Sequence, residues 1–173
     1  AAPLSLAASI VLTCLAPTGA TKGGSAIYLA ASLILFGISA LYHRFYWSPR
    51  WEIEWNRLDH SNIFLLIAGT YTPLSIAILP HDQAVTILSI VWGGALLGIL
   101  LNLFWPTAPR WLATLIYVAL GWVAVWYLPQ FWALGGAVIV WLLLAGGILY
   151  TIGAMVYATK KPDLSPRWFG FHE

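Results

Sequence analysis

Charge is scarce in this chain. Only 8% of its 173 residues are Asp, Glu, Lys or Arg, while 61% are hydrophobic; a soluble domain carries roughly 25% charged residues. That excludes a soluble globular protein. A net charge of +2 spread over so few sites gives no basic patch, so no nucleic-acid partner is expected. Cysteine is limited to Cys14, which excludes an intrachain disulfide and a cysteine-based zinc site. As a lone thiol in an apolar run, Cys14 reads as a small buried hydrophobe. Regular apolar–polar alternation is also missing, which argues against a β-barrel. The first apolar stretch has no basic flank and no initiating Met, so it reads as the remainder of a first membrane helix rather than a signal peptide.

What remains is a series of long apolar runs. About 20 residues of helix cross about 30 Å of hydrocarbon, and backbone polar groups there must be satisfied within each segment. The fold class expected is all-α, a polytopic membrane helical bundle forming one domain over 1–173. Six spans are placed at about 3–18, 24–45, 59–79, 83–104, 109–128 and 131–158, with the start of a seventh near 166. Pro17, Pro80, Pro106, Pro129 and Pro162 punctuate their ends, as residues that cannot continue a helix do. Residues 48–55 suit a short interfacial helix, with Ser48 as cap and Pro49 as first residue. Pro73 should bend the third span, with Thr70 and Thr72 hydroxyls near the freed carbonyls. Gly94 and Gly98 make a small-xxx-small pair in the fourth, and Gly146, Gly147 and Gly153 thin the sixth.

Orientation follows from the basic residues. Arg44, Arg50, Arg57, Arg110, Lys160, Lys161 and Arg167 fall in alternate loops on one side, and Lys22 on the other. The positive-inside rule makes the first side cytoplasmic. Trp47, Trp51, Trp55, Trp105, Trp111, Trp132 and Trp168 lie near the expected interfaces, as belt residues do. A multi-pass protein of the bacterial inner (plasma) membrane, in contact with membrane lipids, is expected.

Three polar clusters interrupt the apolar runs, and this topology puts all three at the cytoplasmic edge. The first ends in Ser39 and His43, four residues apart and so on one helix face. A neutral imidazole is a common zinc ligand with a hydroxyl one turn away to support it; the alternative is a solvated helix-end histidine. The second is Asp59 with His60. Acids in membrane segments usually face a partner in the interior. Asp59 is expected to open the third span, where the macrodipole favours its charge. It reads either as an N-cap paired with Arg57 or His60, or as a base near a metal-activated water. His60 lies about 100° round the helix from Asp59 and reads as structural. The third cluster holds His172. Imidazoles and a carboxylate converging at one end of a bundle suggest a metal site.

Ser39-x-x-x-His43, then the run Asp59-His60-Ser61-Asn62-Ile63-Phe64-Leu65-Leu66-Ile67-Ala68-Gly69-Thr70-Tyr71-Thr72-Pro73, then His172, resemble the hemolysin III family. That family belongs with the progestin and adiponectin-receptor-like proteins and, more distantly, the alkaline ceramidases. The resemblance implies seven transmembrane helices, six of them largely present here and the seventh truncated. It implies a zinc ion held by three histidines near the cytoplasmic face. His43 would be the span-two ligand, His172 a second, and the third would lie past Glu173. Asp59 would contact the zinc-bound water and Ser39 would neighbour the site. An acidic motif expected before the first span is absent.

Three functions follow as expectations. The leading one is zinc-dependent hydrolysis of a lipid amide or ester, with Asp59 and Ser39 as the catalytic pair. The second is a membrane-active cytolysin, for which no span offers a polar stripe. The third is a non-catalytic membrane sensor or receptor-like regulator with structural zinc. No mid-membrane charge or inverted repeat supports a transporter.

Overall fold

A computed structural model describes residues 2–105 and 108–159. Its elements are α1 (Ala2–Leu15), α2 (Gly19–Arg44), α3 (Pro49–Ile78), α4 (His81–Phe104), α5 (Arg110–Gly121), a 3₁₀ segment (Trp122–Tyr127), α6 (Leu128–Gly135) and α7 (Ala137–Thr159). No strand occurs among them. The chain divides into two compact units, Ala1–Thr107 and Ala108–Glu173.

Five helical stretches are long and apolar enough to cross a membrane: Gly19–Arg44, Pro49–Ile78, His81–Phe104, Trp111–Gly135 and Ala137–Val156. The expected first span is instead the 14-residue α1, about 21 Å long at 1.5 Å per residue. Its residues beyond Leu15 go elsewhere. Thr18 caps α2 in a reciprocal box, accepting from the Thr21 amide while the Thr21 hydroxyl accepts from its own. That box starts α2 at Gly19, well before the expected boundary at 24. Cys14 is exposed on α1 rather than buried.

α3 also differs from expectation. Ser48 and Pro49 do open a helix, though the Ser48 side chain makes no capping bond. That helix does not stop at the interface. It runs through 59 to Ile78 as one 30-residue element, because nothing between Pro49 and Pro73 breaks the backbone ladder. Around Pro73, the Thr72 and Thr70 hydroxyls donate to the Ala68 and Ile67 carbonyls at 2.9 and 2.7 Å.

The first unit is held by close backbone approach. A Cβ added at Gly69 of α3 would lie 2.8 Å from the Ala31 methyl of α2, and one at Gly24 would lie 3.2 Å from Pro73 Cα and Ile76. Ser25, Ala31 and Ser32 of α2 and Ala68 of α3 are all buried. Small residues let helices meet where lipid offers no hydrophobic drive. α4 packs on α3 through Ala84, Ile87, Val91, Ala95 and Gly98, a stripe with three- and four-residue steps. Gly98 receives the ring of Phe64, itself 1% exposed. Two polar links cross the same interface. Trp92 Nε1 donates to Thr72 Oγ1 at 3.1 Å, and the Asn102 amide donates to the Arg57 carbonyl and Ser61 Oγ at 3.1 and 3.0 Å.

In the second unit the expected break at Pro129 is absent. Pro129 sits in the first turn of α6, where its missing N–H leaves no bond unmade. The helical path therefore passes from α5 through the 3₁₀ segment into α6. It breaks instead at Gly136, whose φ of 82° suits only glycine well. Phe131 is fully buried in this unit. Trp122 Nε1 donates to the Thr151 hydroxyl at 2.8 Å, which in turn donates to the Gly147 carbonyl. The expected seventh-span start and the basic residues Lys160, Lys161 and Arg167 lie outside the described residues.

Gly98→Ala should drive a methyl into the Phe64 ring and lower stability by about 1–3 kcal/mol. Gly93→Ala, on the same helix with open space around it, should be neutral or stabilising by up to about 1 kcal/mol. Thermal unfolding of the two purified variants in one detergent checks the pair.

Candidate metal centre

α2 ends alongside the first third of α3, so the polar residues of its last turn meet those of α3 around Asp59. His43 occupies the last turn of α2, one turn beyond Ser39 on the same face. Its Nε2 lies 3.8 Å from Asp59 Oδ2. The two side chains differ in exposure, 50% for His43 and 12% for Asp59. The carboxylate is thus the enclosed partner and the imidazole the open one.

Asp59 reaches this position differently from expectation. Since α3 begins at Pro49, Asp59 stands well inside the helix. It is no N-cap, and the field of a helix terminus, which fades within a turn, does not act on it. Its recorded ion partner is His43 rather than Arg57 or His60. Arg57 instead pairs with Glu54 one turn away, at 3.0 Å. His60 turns along its own helix, donating from Nδ1 to the Asn56 carbonyl at 2.8 Å. A carbonyl only accepts, so the proton sits on Nδ1.

Residues that sequence reasoning passed over complete the surroundings. The Asn56 amide donates to the Tyr42 hydroxyl at 3.0 Å, tying α3 to α2. The Tyr42 ring stands edge-on to the His43 imidazole, with centroids 4.6 Å apart. Asn102 brings the end of α4 to the same level through its bonds to Arg57 and Ser61. Spacing offered a signal for each. Asn56 precedes Asp59 by one turn, and Asn102 continues the α4 stripe through Ala95 and Gly98. Beyond the pair, Phe45, Trp47 and Trp55 pack ring on ring, Trp47 and Trp55 with centroids 4.7 Å apart.

The His43–Asp59 pair is suited to a cation. The His43 imidazole nitrogen is a donor type that a tetrahedral zinc accepts, and Asp59 Oδ2, 3.8 Å from it, is a proton acceptor beside that position. The pair therefore fits one corner of such a site with a carboxylate next to it. Among the described residues no group of three or more His, Cys, Asp or Glu side chains gathers to finish it. His172, expected to be a ligand, lies outside the described residues. Ser39 is half-buried one turn deeper than His43.

The whole chain, residues 1–173, matches the family described as Haemolysin-III related. A protein named Hemolysin-3 from Bacillus cereus is 37% identical over 136 residues, covering 78% of this chain and 61% of that one. A Hemolysin-3 homolog from Bacillus subtilis (strain 168) is 37% identical over 147 residues, covering 84% of this chain and 68% of the relative. The chain thus spans about two thirds of the length of these relatives. No solved structure matches it. With its apolar helices and its matches along the full sequence, the chain is a multi-pass integral membrane protein that belongs to the haemolysin-III-related family.

Proposed function

We propose that this protein binds zinc at the membrane edge of α2 and α3 and hydrolyses an amide or ester in a lipid. The observation that carries this reading is the meeting of His43 and Asp59, 3.8 Å apart across two helices. An acid in a membrane span is expensive to keep and more often functional than not. Here it is largely enclosed and faces a half-exposed imidazole, an arrangement open on one side to a ligand.

His43 would hold the ion through Nε2, with His172 as a further ligand. When bound, the ion supplies an electrophile for a carbonyl and a lowered pKa for a water. Asp59 would accept the proton that the attacking water gives up and pass it to the leaving amine or alcohol. The low exposure of its carboxylate keeps bulk water from competing for that proton. Ser39, one turn from His43, is placed to hydrogen-bond a reacting group. His43 lies in the last turn of α2, so a lipid amide or ester group would reach the site from the membrane edge.

The printed name of the two relatives favours lysis as a second reading. Against it, many large apolar side chains, among them Leu33, Leu97, Trp126 and Leu142, stand exposed on the described helices, as lipid-facing residues do. Dye release from liposomes separates the readings. A channel would empty vesicles without changing their lipids, whereas a hydrolase would leave product lipid behind.

Metal content of the detergent-purified full-length protein tests the site. About one zinc per chain is expected, falling to near zero in His43→Ala; equal zinc in both would overturn the assignment. Asp59→Asn should keep the metal while losing turnover of an amide or ester lipid by about 100-fold or more. Undiminished turnover in that variant would remove Asp59 from the mechanism.

A further inference from the structure

We infer that Tyr42, held by Asn56, is the positioning residue of this site: it fixes the ring of His43 so that Nε2 stays on Asp59. The inference rests on the zinc reading for its consequence, but its geometry stands apart from any ion.

His43 is half exposed in the last turn of α2. An imidazole has two rotatable torsions, and the side chains around it decide which rotamer it keeps. Holding one orientation takes a wall. Tyr42 supplies it, since its ring stands edge-on against the imidazole with centroids 4.6 Å apart and planes inclined by 60°. Edge-to-face contact is the preferred geometry for neighbouring aromatic rings. The Tyr42 ring is itself pinned at its far end, where its hydroxyl accepts a hydrogen bond from the Asn56 amide at 3.0 Å. Asn56 belongs to α3, one turn before Asp59.

The four residues therefore close a loop across the two helices. Asn56 holds Tyr42, Tyr42 walls His43, His43 faces Asp59, and Asp59 returns to Asn56 along α3. The brace and the acid share one helix, so a shift of α3 carries both together and preserves their spacing. The Asn56 carbonyl also takes the His60 Nδ1 proton. Groups that orient a metal-binding histidine commonly change affinity 10- to 100-fold when removed. Loss of the Tyr42 hydroxyl or the Asn56 amide belongs in that range, because the ring wall remains but loosens.

The test uses the full-length protein with Asn56→Leu and Tyr42→Phe, beside Asn102→Leu. Asn102 sits at the same end but bonds only to Arg57 and Ser61 in the described structure, so its loss reports general loosening. Zinc affinity is read by chelator competition. The His43 ring is read by NMR on metal-free protein carrying labelled histidine, with His43→Gln assigning the signal. The expected result is about tenfold weaker zinc binding in Asn56→Leu and Tyr42→Phe at unchanged stoichiometry. In Asn56→Leu the His43 ring protons should also move as the Tyr42 ring current shifts off them. Asn102→Leu should melt lower with zinc affinity unchanged. Equal losses of affinity in all three variants, or an unmoved His43 signal in Asn56→Leu, would overturn the inference. A moved signal in a protein that binds no zinc would keep the brace and remove the zinc reading.

Discussion

Helices in a bilayer gain little by hiding apolar surface from one another, because lipid tails are as apolar as leucine. Their association then depends on how closely backbones can come. In the first unit that approach is made by Gly24 against Pro73 and Ile76 and by Gly69 against Ala31. Everything at the α2–α3 end depends on this seam. Gly69, Pro73 and Ile76 of α3 face α2 at steps of four and three residues, and Asp59, earlier on the same helix, meets His43 of α2. One seam sets the register for all of them. A slip of one residue would turn Asp59 away from His43 as surely as it would jam Gly69.

The polar end is the counterpart of that apolar seam. Toward the end of α2 and the adjoining turns of α3, small residues give way to Tyr42, His43, Asn56 and Asp59, and packing gives way to polar contacts. Asn102 extends the same change to α4. The Asn56–Tyr42 bond is part-buried, and a satisfied polar link between two helices holds their geometry. The polar end is therefore ordered by its own bonds as well as by the seam beneath it.

Much of this was legible in the sequence. Long apolar runs, scarce charge and absent alternation determine the class. The i,i+4 relation of Ser39 and His43 and the acid at Asp59 pick out the two residues that the structure brings together. Boundaries were less legible, for physical reasons. Pro129 reads as a stop, yet a proline in a first turn interrupts nothing, and the true break needed the positive φ of Gly136. Thr18 and Thr21 start α2 early through a box with threonine where glutamate is usual. Asp59 looked like a helix start because the polar residues before it resemble a loop, whereas they form the largely exposed first turns of one continuous helix. Tyr42 and Asn56 were hidden for another reason. Their bond links two helices, and single-sequence periodicity describes one helix at a time.

The claim on which the rest turns is that His43 and Asp59 face each other across the seam. Replacing both by cysteine in a Cys14→Ser background leaves only those two thiols in this chain. Treatment in native membranes with a short bifunctional thiol reagent should then join them rapidly within one chain, while a partner cysteine placed at Lys22, at the other end of α2, should remain unlinked to position 59. Failure of the 43–59 pair to link, or equal linking from position 22, would contradict the account.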